Sequence, residues 1–351
     1  MIRLTDLSKY LSRPTDSLRT ILARINASQY LFQIVVDENG RLLGTITDGD
    51  MRRAILQGLS LEATGAECLQ TMPRFGRIGD DAKNASLLGS VPRRDQFLPL
   101  VDETNCVCEI LVSHPEAGLS AALVMAGGPG SRLGELTRST PKPLLDVGGR
   151  PILDRLLERL EAAGIRRIFI AVHYLAEQIE AFAKMRGSVA TIEFIREPER
   201  LGTAGALGLI EPGSLDGASL LVVNGDLVTR ADYRAFSDFH SRHGNEGTIG
   251  VASYFVDVPF GVVRHDANGL FVGVDEKPRL SHFVAAGVYC LNPEFLGLVP
   301  RGRPLDMPEL LNRGKSLGLR VGVFPIHEEW ADVGRPNDFE AVDAHLREPQ
   351  S

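Results

Sequence analysis

The sequence predicts an α/β protein in two parts: a smaller N-terminal region and, from Ala121 onward, a mixed and mostly parallel sheet with helices on both faces. Three observations carry this reading. Apolar runs of strand length at Ala121 to Met125, Ile168 to Val172, Ile192 to Ile195 and Leu220 to Val223 alternate with stretches of helical spacing, the pattern of strands joined by crossover helices. Two of these runs break at once into glycine turns, at Gly127 to Gly130 and at Gly225, as the ligand-facing ends of open sheets do. Residues 1 to about 116 carry none of those motifs, and a chain of 351 residues is comfortable for two domains.

The elements follow in order. Asp16 to Ser28 places Leu18, Ile21, Leu22 and Ile25 on one helical face, with Thr15 as the expected N-cap. Phe32 to Val36 and Leu42 to Thr45 flank the turn residues Asp37 to Gly40 and read as a hairpin. The segment Gly44 to Asp50 then leads into a helix expected to begin near Met51. Phe97 to Val101 and Cys106 to Val112 form a second hairpin, and Ser113 to Ser120 is polar, turn-rich and reads as a linker. Beyond it Pro151 opens a helix carrying Ile152, Leu153, Leu156, Leu157 and Leu160, which Gly164 ends. His173 and Tyr174 close the strand Ile168 to Val172 and are placed to line a site, although a hydrogen-bonded structural role is the expected one for His173. A helix over Leu175 to Ala183 and the strand Ile192 to Ile195 precede a second glycine-bearing turn, Leu201 to Leu207, expected to open another helix. Leu220 to Val223 suits a central parallel strand, Val272 to Lys277 a further strand, and Asp306-Met307-Pro308 a helix start.

Composition narrows the function. With 44% hydrophobic and 24% charged residues the chain reads as ordinary globular protein. A net charge of −7 with no offsetting basic tract argues against nucleic acid or an anionic membrane as partner. Four cysteines, Cys68, Cys106, Cys108 and Cys290, are too scattered for a disulfide framework and fit a reducing cytoplasm. Cys106 and Cys108 lack zinc-pair spacing and read as packing, and the eight histidines form neither HxH nor HExxH. No window approaches eighteen apolar residues, so neither export nor a membrane span is expected.

The chemistry concentrates in Ala121 to Gly149, AALVMAGGPGSRLGELTRSTPKPLLDVGG. Without a Cβ, Gly127, Gly128 and Gly130 let backbone N–H groups approach phosphate oxygens. Arg132 can fork onto those oxygens, and Lys142, stiffened between Pro141 and Pro143, adds a point charge. Asp226, at the carboxyl end of an apolar strand, lies where open α/β sheets bind ligands.

Taken together, AGG-x-G-x-RL, LT, PKPLL and VGG-x-P resemble the opening signature of the sugar-1-phosphate nucleotidylyltransferases. Leu201-Gly202-Thr203-Ala204-Gly205-Ala206-Leu207 is similar to their LGTAGAL turn, Phe260-Gly261-Val262-Val263 to YGVV, Glu276-Lys277-Pro278 to EKP, Ala286-Gly287-Val288-Tyr289 to AGIY, and Trp330 to Gly334 to a late metal segment. The resemblance covers residues 121 to 343 and implies a Rossmann-like, glycosyltransferase-A-like nucleotidyltransferase domain over 117–351. It implies that Ala126, Gly127, Gly128, Gly130, Arg132, Gly202, Thr203 and Ala204 bind the nucleotide. It also implies that Gly261, Glu276, Lys277 and Gly287 meet the sugar and that Asp226 and Asp332 hold Mg²⁺. Arg132, Lys142, Asp226 and Lys277 are then the catalytic set. No protein nucleophile is needed, since a sugar-1-phosphate oxygen attacks the α-phosphorus of a nucleoside triphosphate and the enzyme's task is positioning and charge.

Helix, strand pair, GxxTxxD and helix in the N-terminal region resemble a CBS (cystathionine β-synthase) domain, a family whose threonine and aspartate, here Thr47 and Asp50, meet adenine nucleotides. Such domains come in pairs. A second, degenerate copy is expected over Leu61 to Ser113, with Glu109 to Ser113 where its GxxTxxD would stand, giving a tandem module over 1–116. Half the usual nucleotide site is absent, so a pairing and dimerisation module outweighs an adenine-nucleotide site, and a homo-oligomer is expected. A CBS pair ahead of such a domain is similar to the guanylyltransferases that make GDP-glucosamine for legionaminic acid, and the short form resembles mannose- and heptose-1-phosphate guanylyltransferases. GTP is therefore the favoured triphosphate and a hexose or amino-hexose 1-phosphate the acceptor. The alternative is a non-catalytic sensor on the same fold, against which the intact Arg132, Lys142, Asp226 and Asp332 argue.

Overall fold

The computed structural model describes residues 2–28, 30–90, 97–112, 119–211 and 213–347. The expected linker, Ser113 to Ser120, lies mostly outside them. The chain forms two units: Met1–Ser120 with Asp232–Glu246, and Ala121–Ala231 with Gly247–Ser351. Among the described residues no helix is long and apolar enough to cross a membrane.

The first unit is built from two small sheets. One joins Leu11–Ser12, Phe32–Val36 and Leu42–Thr47; the other joins Ile2–Leu4, Val107–Val112, Phe97–Val101 and Gly76–Arg77. Phe32, Ile34 and Val36 from one sheet and Ile110 and Val112 from the other share a core with Tyr10, and Phe32 stacks on Phe97 at 4.0 Å. The helix Leu18–Ala27 buries Leu18, Ile21, Leu22 and Ile25, as its spacing predicts. Its N-cap is Ser17 and not Thr15. Ser17 Oγ accepts from Thr20 N at 3.2 Å, while Asp16 turns back to accept from Arg13 N at 2.8 Å. The next helix, Asp48–Leu56, begins three residues before Met51, because Thr47 and Asp50 form a reciprocal capping box that starts it.

In the second unit seven strands run in the order Thr191–Arg196, Arg167–Val172, Ala121–Met125, Leu220–Asn224, Arg279–Leu291, Gly247–Asp257 and Val321–Ile326. The first four are parallel. Arg279–Leu291 is antiparallel to both neighbours, which makes the sheet mixed. Leu220, Leu221, Val222 and Val223 are all 0% exposed, each side chain contributing about 1.5–3 kcal/mol by burial. The turn after Leu201 enters a 3₁₀ helix, Gly205–Leu209, in place of the expected α-helix; the amide of Ala204 is drawn to Leu305 O at 2.9 Å. The strand expected to reach Lys277 ends at Asp275, and Lys277 takes a left-handed backbone with φ of 44°.

From Ala121–Met125 the chain steps outward to Arg167–Val172 and Thr191–Arg196, then returns to Leu220–Asn224 on the other side. The connections diverge there, and that divergence opens a crevice at the strands' carboxyl ends. Asn224 pairs in register with Met125, so both chains leave the sheet at the same level. The close approach dictates a glycine at 225, whose amide donates to Met125 O at 2.9 Å and where a Cβ would sit 2.8 Å from that oxygen. Gly225→Ala is expected to cost about 1–3 kcal/mol through overpacking, read as a lower urea midpoint at unchanged m-value.

Candidate active site

The crevice is framed by residues that backbone geometry delivers. Gly130 has φ of 62°, a left-handed value, and a Cβ there would meet Thr137 Cγ2 at 2.9 Å and Lys142 Cβ at 3.2 Å. The glycine turn thus folds directly against the Pro141–Lys142 segment. Thr137 Oγ1 donates to Gly130 O at 3.0 Å, and Tyr174 donates its hydroxyl to the Thr137 and Arg138 carbonyls at 3.1 and 2.9 Å. Gly128 has nothing within 4 Å of its Cβ position and faces open space.

Asp226 follows the central strand, and Leu227–Thr229 continues from it as one edge of a two-stranded ribbon with Trp330–Asp332. Because Leu227 pairs with Asp332 in that ribbon, the two aspartates are brought together from distant parts of the chain. Lys142, 7% exposed, hydrogen-bonds Asp226 Oδ2 through Nζ and lies 3.6 Å from Asp332 Oδ1. The other oxygen, Asp226 Oδ1, is buried and has no hydrogen-bond partner among the described residues.

Burial, then the like charge of Asp226, raises the pKa of Asp332, while the nearby charges of Lys142 and Arg132 pull it down. A carboxyl raised in the folded state opposes folding once it ionises: the penalty is absent below the ordinary carboxylate range and grows as pH rises through the raised value. Asp332→Asn is therefore expected to raise the melting temperature at pH 7. The gain should vanish as pH falls toward 3, and a pH series of thermal melts checks it.

These features test whether a divalent cation fits. A buried carboxylate oxygen without a partner and a second carboxylate beside it suit a hard cation that takes oxygen ligands and leaves other positions to phosphate and water. The residues present would suit a divalent cation such as Mg²⁺, which Asp226 and Asp332 would hold. Among the described residues no cluster of three or more His, Cys, Asp or Glu side chains forms a more elaborate cage.

Not every expected residue joins this centre. Gly287 does, lying against the residue before Gly225: its Cβ position is 2.7 Å from Asn224 Nδ2. Gly261 and Glu276 meet each other, with the Gly261 Cβ position 2.9 Å from Glu276 Oε2, across the exposed hairpin Val262–His265 and Phe271–Asp275. Lys277 is exposed, and among the described residues no ion pair ties it to Asp226 or Asp332. Ala204 is buried and Thr203 is exposed. Thr203 donates its amide and hydroxyl to Asp306 Oδ1 at 3.0 and 3.3 Å and accepts from Met307 N at 2.8 Å, pinning the glycine turn to the helix Met307–Ser316.

One residue absent from the sequence reading belongs here. Glu197 follows the strand Thr191–Arg196, is 8% exposed, and accepts from Leu201 N through Oε2 at 3.1 Å. Its Oε1 is 3.2 Å from the Cβ position of Gly127, so it stands between the two glycine turns. Burial is the main cause that pushes its carboxyl above the usual range. His173 is anchored to Glu197 O at 3.1 Å, the structural role expected for it.

Residues 121–348 match the family model described as nucleotidyl transferase. The chain belongs to the nucleotidyl transferase family. Within its N-terminal unit, residues 13–57 match a CBS domain. The nucleotidyl transferase domain is 36% identical over 228 residues to a mannose-1-phosphate guanylyltransferase catalytic subunit beta of Drosophila melanogaster, covering 62% of this chain and 60% of that protein. It is 35% identical over 227 residues to a mannose-1-phosphate guanyltransferase of Kluyveromyces lactis, covering 62% of each. The chain thus spans about three fifths of the length of the curated relatives it matches. Among solved structures, HddC from Yersinia pseudotuberculosis superposes with a TM-score of 0.51 at 26% identity, over 65% of this chain and 100% of that one.

Proposed function

We propose that the protein is a sugar-1-phosphate guanylyltransferase, condensing GTP with a hexose or amino-hexose 1-phosphate to give a GDP-sugar and pyrophosphate. The observation that carries this reading is the Lys142 ammonium shared between Asp226 and Asp332 at the crevice, beside the Gly127–Gly130 turn. A sugar-1-phosphate oxygen forms a bond to the α-phosphorus while the bond to the bridging oxygen breaks, and pyrophosphate leaves with the electron pair. Both reactants are anions, so the barrier is one of charge and alignment. Lys142 presents its charge to the reacting phosphates, Arg132 steadies the outer ones, and Gly128 leaves room for them at the open face of the turn. Mg²⁺ held by Asp226 and Asp332 would supply further charge neutralisation across both substrates. The hairpin carrying Gly261, Glu276 and Lys277 is assigned to the sugar.

Guanine is favoured by two supports. The relatives are named guanylyltransferases, and HddC has been solved with GMP-PN. Independently, Glu197 is an acceptor-only carboxylate between the two glycine turns, and guanine alone among the four bases presents adjacent N1–H and N2–H₂ donors. A cytoplasmic setting rests on the sequence and on four free cysteines. A tandem CBS arrangement over 1–116 and a homo-oligomer rest on resemblance. Pyrophosphate release, measured with Mg²⁺ over GTP, ATP, CTP and UTP against glucosamine-, mannose- and glucose-1-phosphate, tests the proposal. GTP with one sugar is the expected productive pair, and silence of every pair would sink it.

A further inference from the structure

Each charged residue assigned to the reacting centre has an apolar neighbour in one small core. Leu133 follows Arg132, Leu145 stands three places after Lys142, Val228 two after Asp226 and Val333 one after Asp332. These four are buried in a single cluster with Val147 and Ile152. Close packing transmits small displacements, so the way this core fills sets the spacing of the charges. One side of it is covered by the helix Pro336–Arg347, which lays Phe339, Val342 and Leu346 against the cluster, the spacing of one helical face. The helix's own residues are all at least partly exposed.

The same helix grips the chain beside Lys142. Asp343 Oδ1 accepts from Gly148 N at 2.8 Å, and that bond is the first cause holding the Asp343 carboxyl below its usual range. Gly148 has φ of 62°, and a Cβ there would lie 2.6 Å from Leu346 Cβ, so helix and turn are in direct contact. From the helix Ile152–Ala162, Arg155 donates through Nε and Nη2 to Val147 O at 3.1 and 2.8 Å and through Nη2 to Gly148 O at 2.8 Å. The turn is therefore held by its carbonyls and by its amide. Ile152 N donates to Leu145 O, and Leu145 N to Lys142 O, both at 3.1 Å, which carries the grip back to Lys142. Val333 N donates to Asp226 O at 3.3 Å, joining the two aspartate segments above the same core.

We propose that Asp343 and Leu346 are positioning residues of the transferase: from the helix Pro336–Arg347 they fix the turn at Gly148 and the core beneath Lys142, Asp226 and Asp332. Neither side chain belongs to the crevice, and each acts through the segments it holds. The effect on turnover rests on the transferase reading, whereas the holding of those segments does not.

Pyrophosphate release and hydrogen exchange, both on the full chain, test the two parts. Asp343→Ala is expected to lower kcat about tenfold or more, since a misplacement of ~1 Å can cost about 10²-fold. KM for the sugar 1-phosphate should stay near the wild-type value, because the sugar is assigned to the largely exposed hairpin Val262–His265 and Phe271–Asp275. Asp343→Asn keeps an acceptor oxygen for Gly148 N and should restore kcat; it gives up only the exposed pair with Arg347, which is worth little. Leu346→Ala removes the contact without touching a hydrogen bond, should lower kcat in the same way, and decides the matter if Asp343→Ala folds poorly. In Asp343→Ala, exchange should quicken over residues 142–148 and 226–229 while 167–172 and 191–196 keep the wild-type rate. Wild-type kcat in both Asp343→Ala and Leu346→Ala, an Asp343→Asn variant as slow as Asp343→Ala, or quickening spread evenly over the domain overturns the positioning role. If wild-type protein releases no pyrophosphate with any substrate pair, the transferase reading falls and exchange alone decides: quickening confined to 142–148 and 226–229 upholds the holding of those segments, and its absence overturns it.

Discussion

Replacing Lys142 with alanine should lower kcat by about 10²- to 10³-fold, the loss seen when one preorganised electrostatic donor is removed from a transition state. The geometry explains why so much falls on one side chain. Lys142 is buried and sits between two carboxylates, so its charge is fixed in place before substrate arrives and little reorganisation is needed during reaction. Its removal also leaves Asp226 and Asp332 facing each other without their shared cation. The pKa of Asp332 should then rise further, since one of the charges that lowers it is gone. A pH profile separates this from misfolding: the acidic limb of kcat/KM should move to higher pH in the variant. Turnover near the wild-type value would remove Lys142 from the mechanism.

Glu197→Gln should change which base the enzyme uses while sparing the chemistry. If Glu197 reads guanine, wild-type protein should prefer GTP over ITP, which lacks the N2 amine, by roughly 10- to 10²-fold, the worth of a hydrogen bond to a charged group. The glutamine variant should lose most of that preference, with kcat/KM for GTP falling about 10²-fold and that for ITP falling less. A glutamine also offers one donor and one acceptor, so UTP should gain relative to GTP. If the variant keeps the GTP-to-ITP ratio while wild-type protein is an active guanylyltransferase, base reading belongs to another residue and the reaction assignment is untouched.

Much of the fold was legible in the sequence because strands buried on both faces advertise themselves. Leu220 to Val223 and Ala121 to Met125 are uninterrupted apolar runs, and the structure places them side by side at the sheet centre. The structure also brings together Lys142, Asp226 and Asp332, residues that the family resemblance had named. What spacing could not carry was partnership. Thr203 stands in a glycine turn, and nothing local announces that Asp306 accepts from its amide and hydroxyl. Glu197 is one acidic residue in a polar stretch, Arg196 to Arg200, and only its burial beside Gly127 sets it apart. Thr15 and Ser17 are equally plausible caps by residue type, and the choice was made by where Asp16 points. The grouping of Asp232–Glu246 with the N-terminal unit has no local signal in the sequence.

The ribbon that pairs Leu227–Thr229 with Trp330–Asp332 has a consequence for biosynthesis. A ribosome releases Asp226 more than a hundred residues before Asp332, so a growing chain carries only one carboxylate of the proposed cation site until the second strand of the ribbon emerges. Until then the protein has glycine turns able to attract triphosphates but no second carboxylate with which to share a cation. Competence therefore arrives late and in one step, and a nascent or prematurely terminated chain is expected to be inert toward nucleotides it already resembles a binder of.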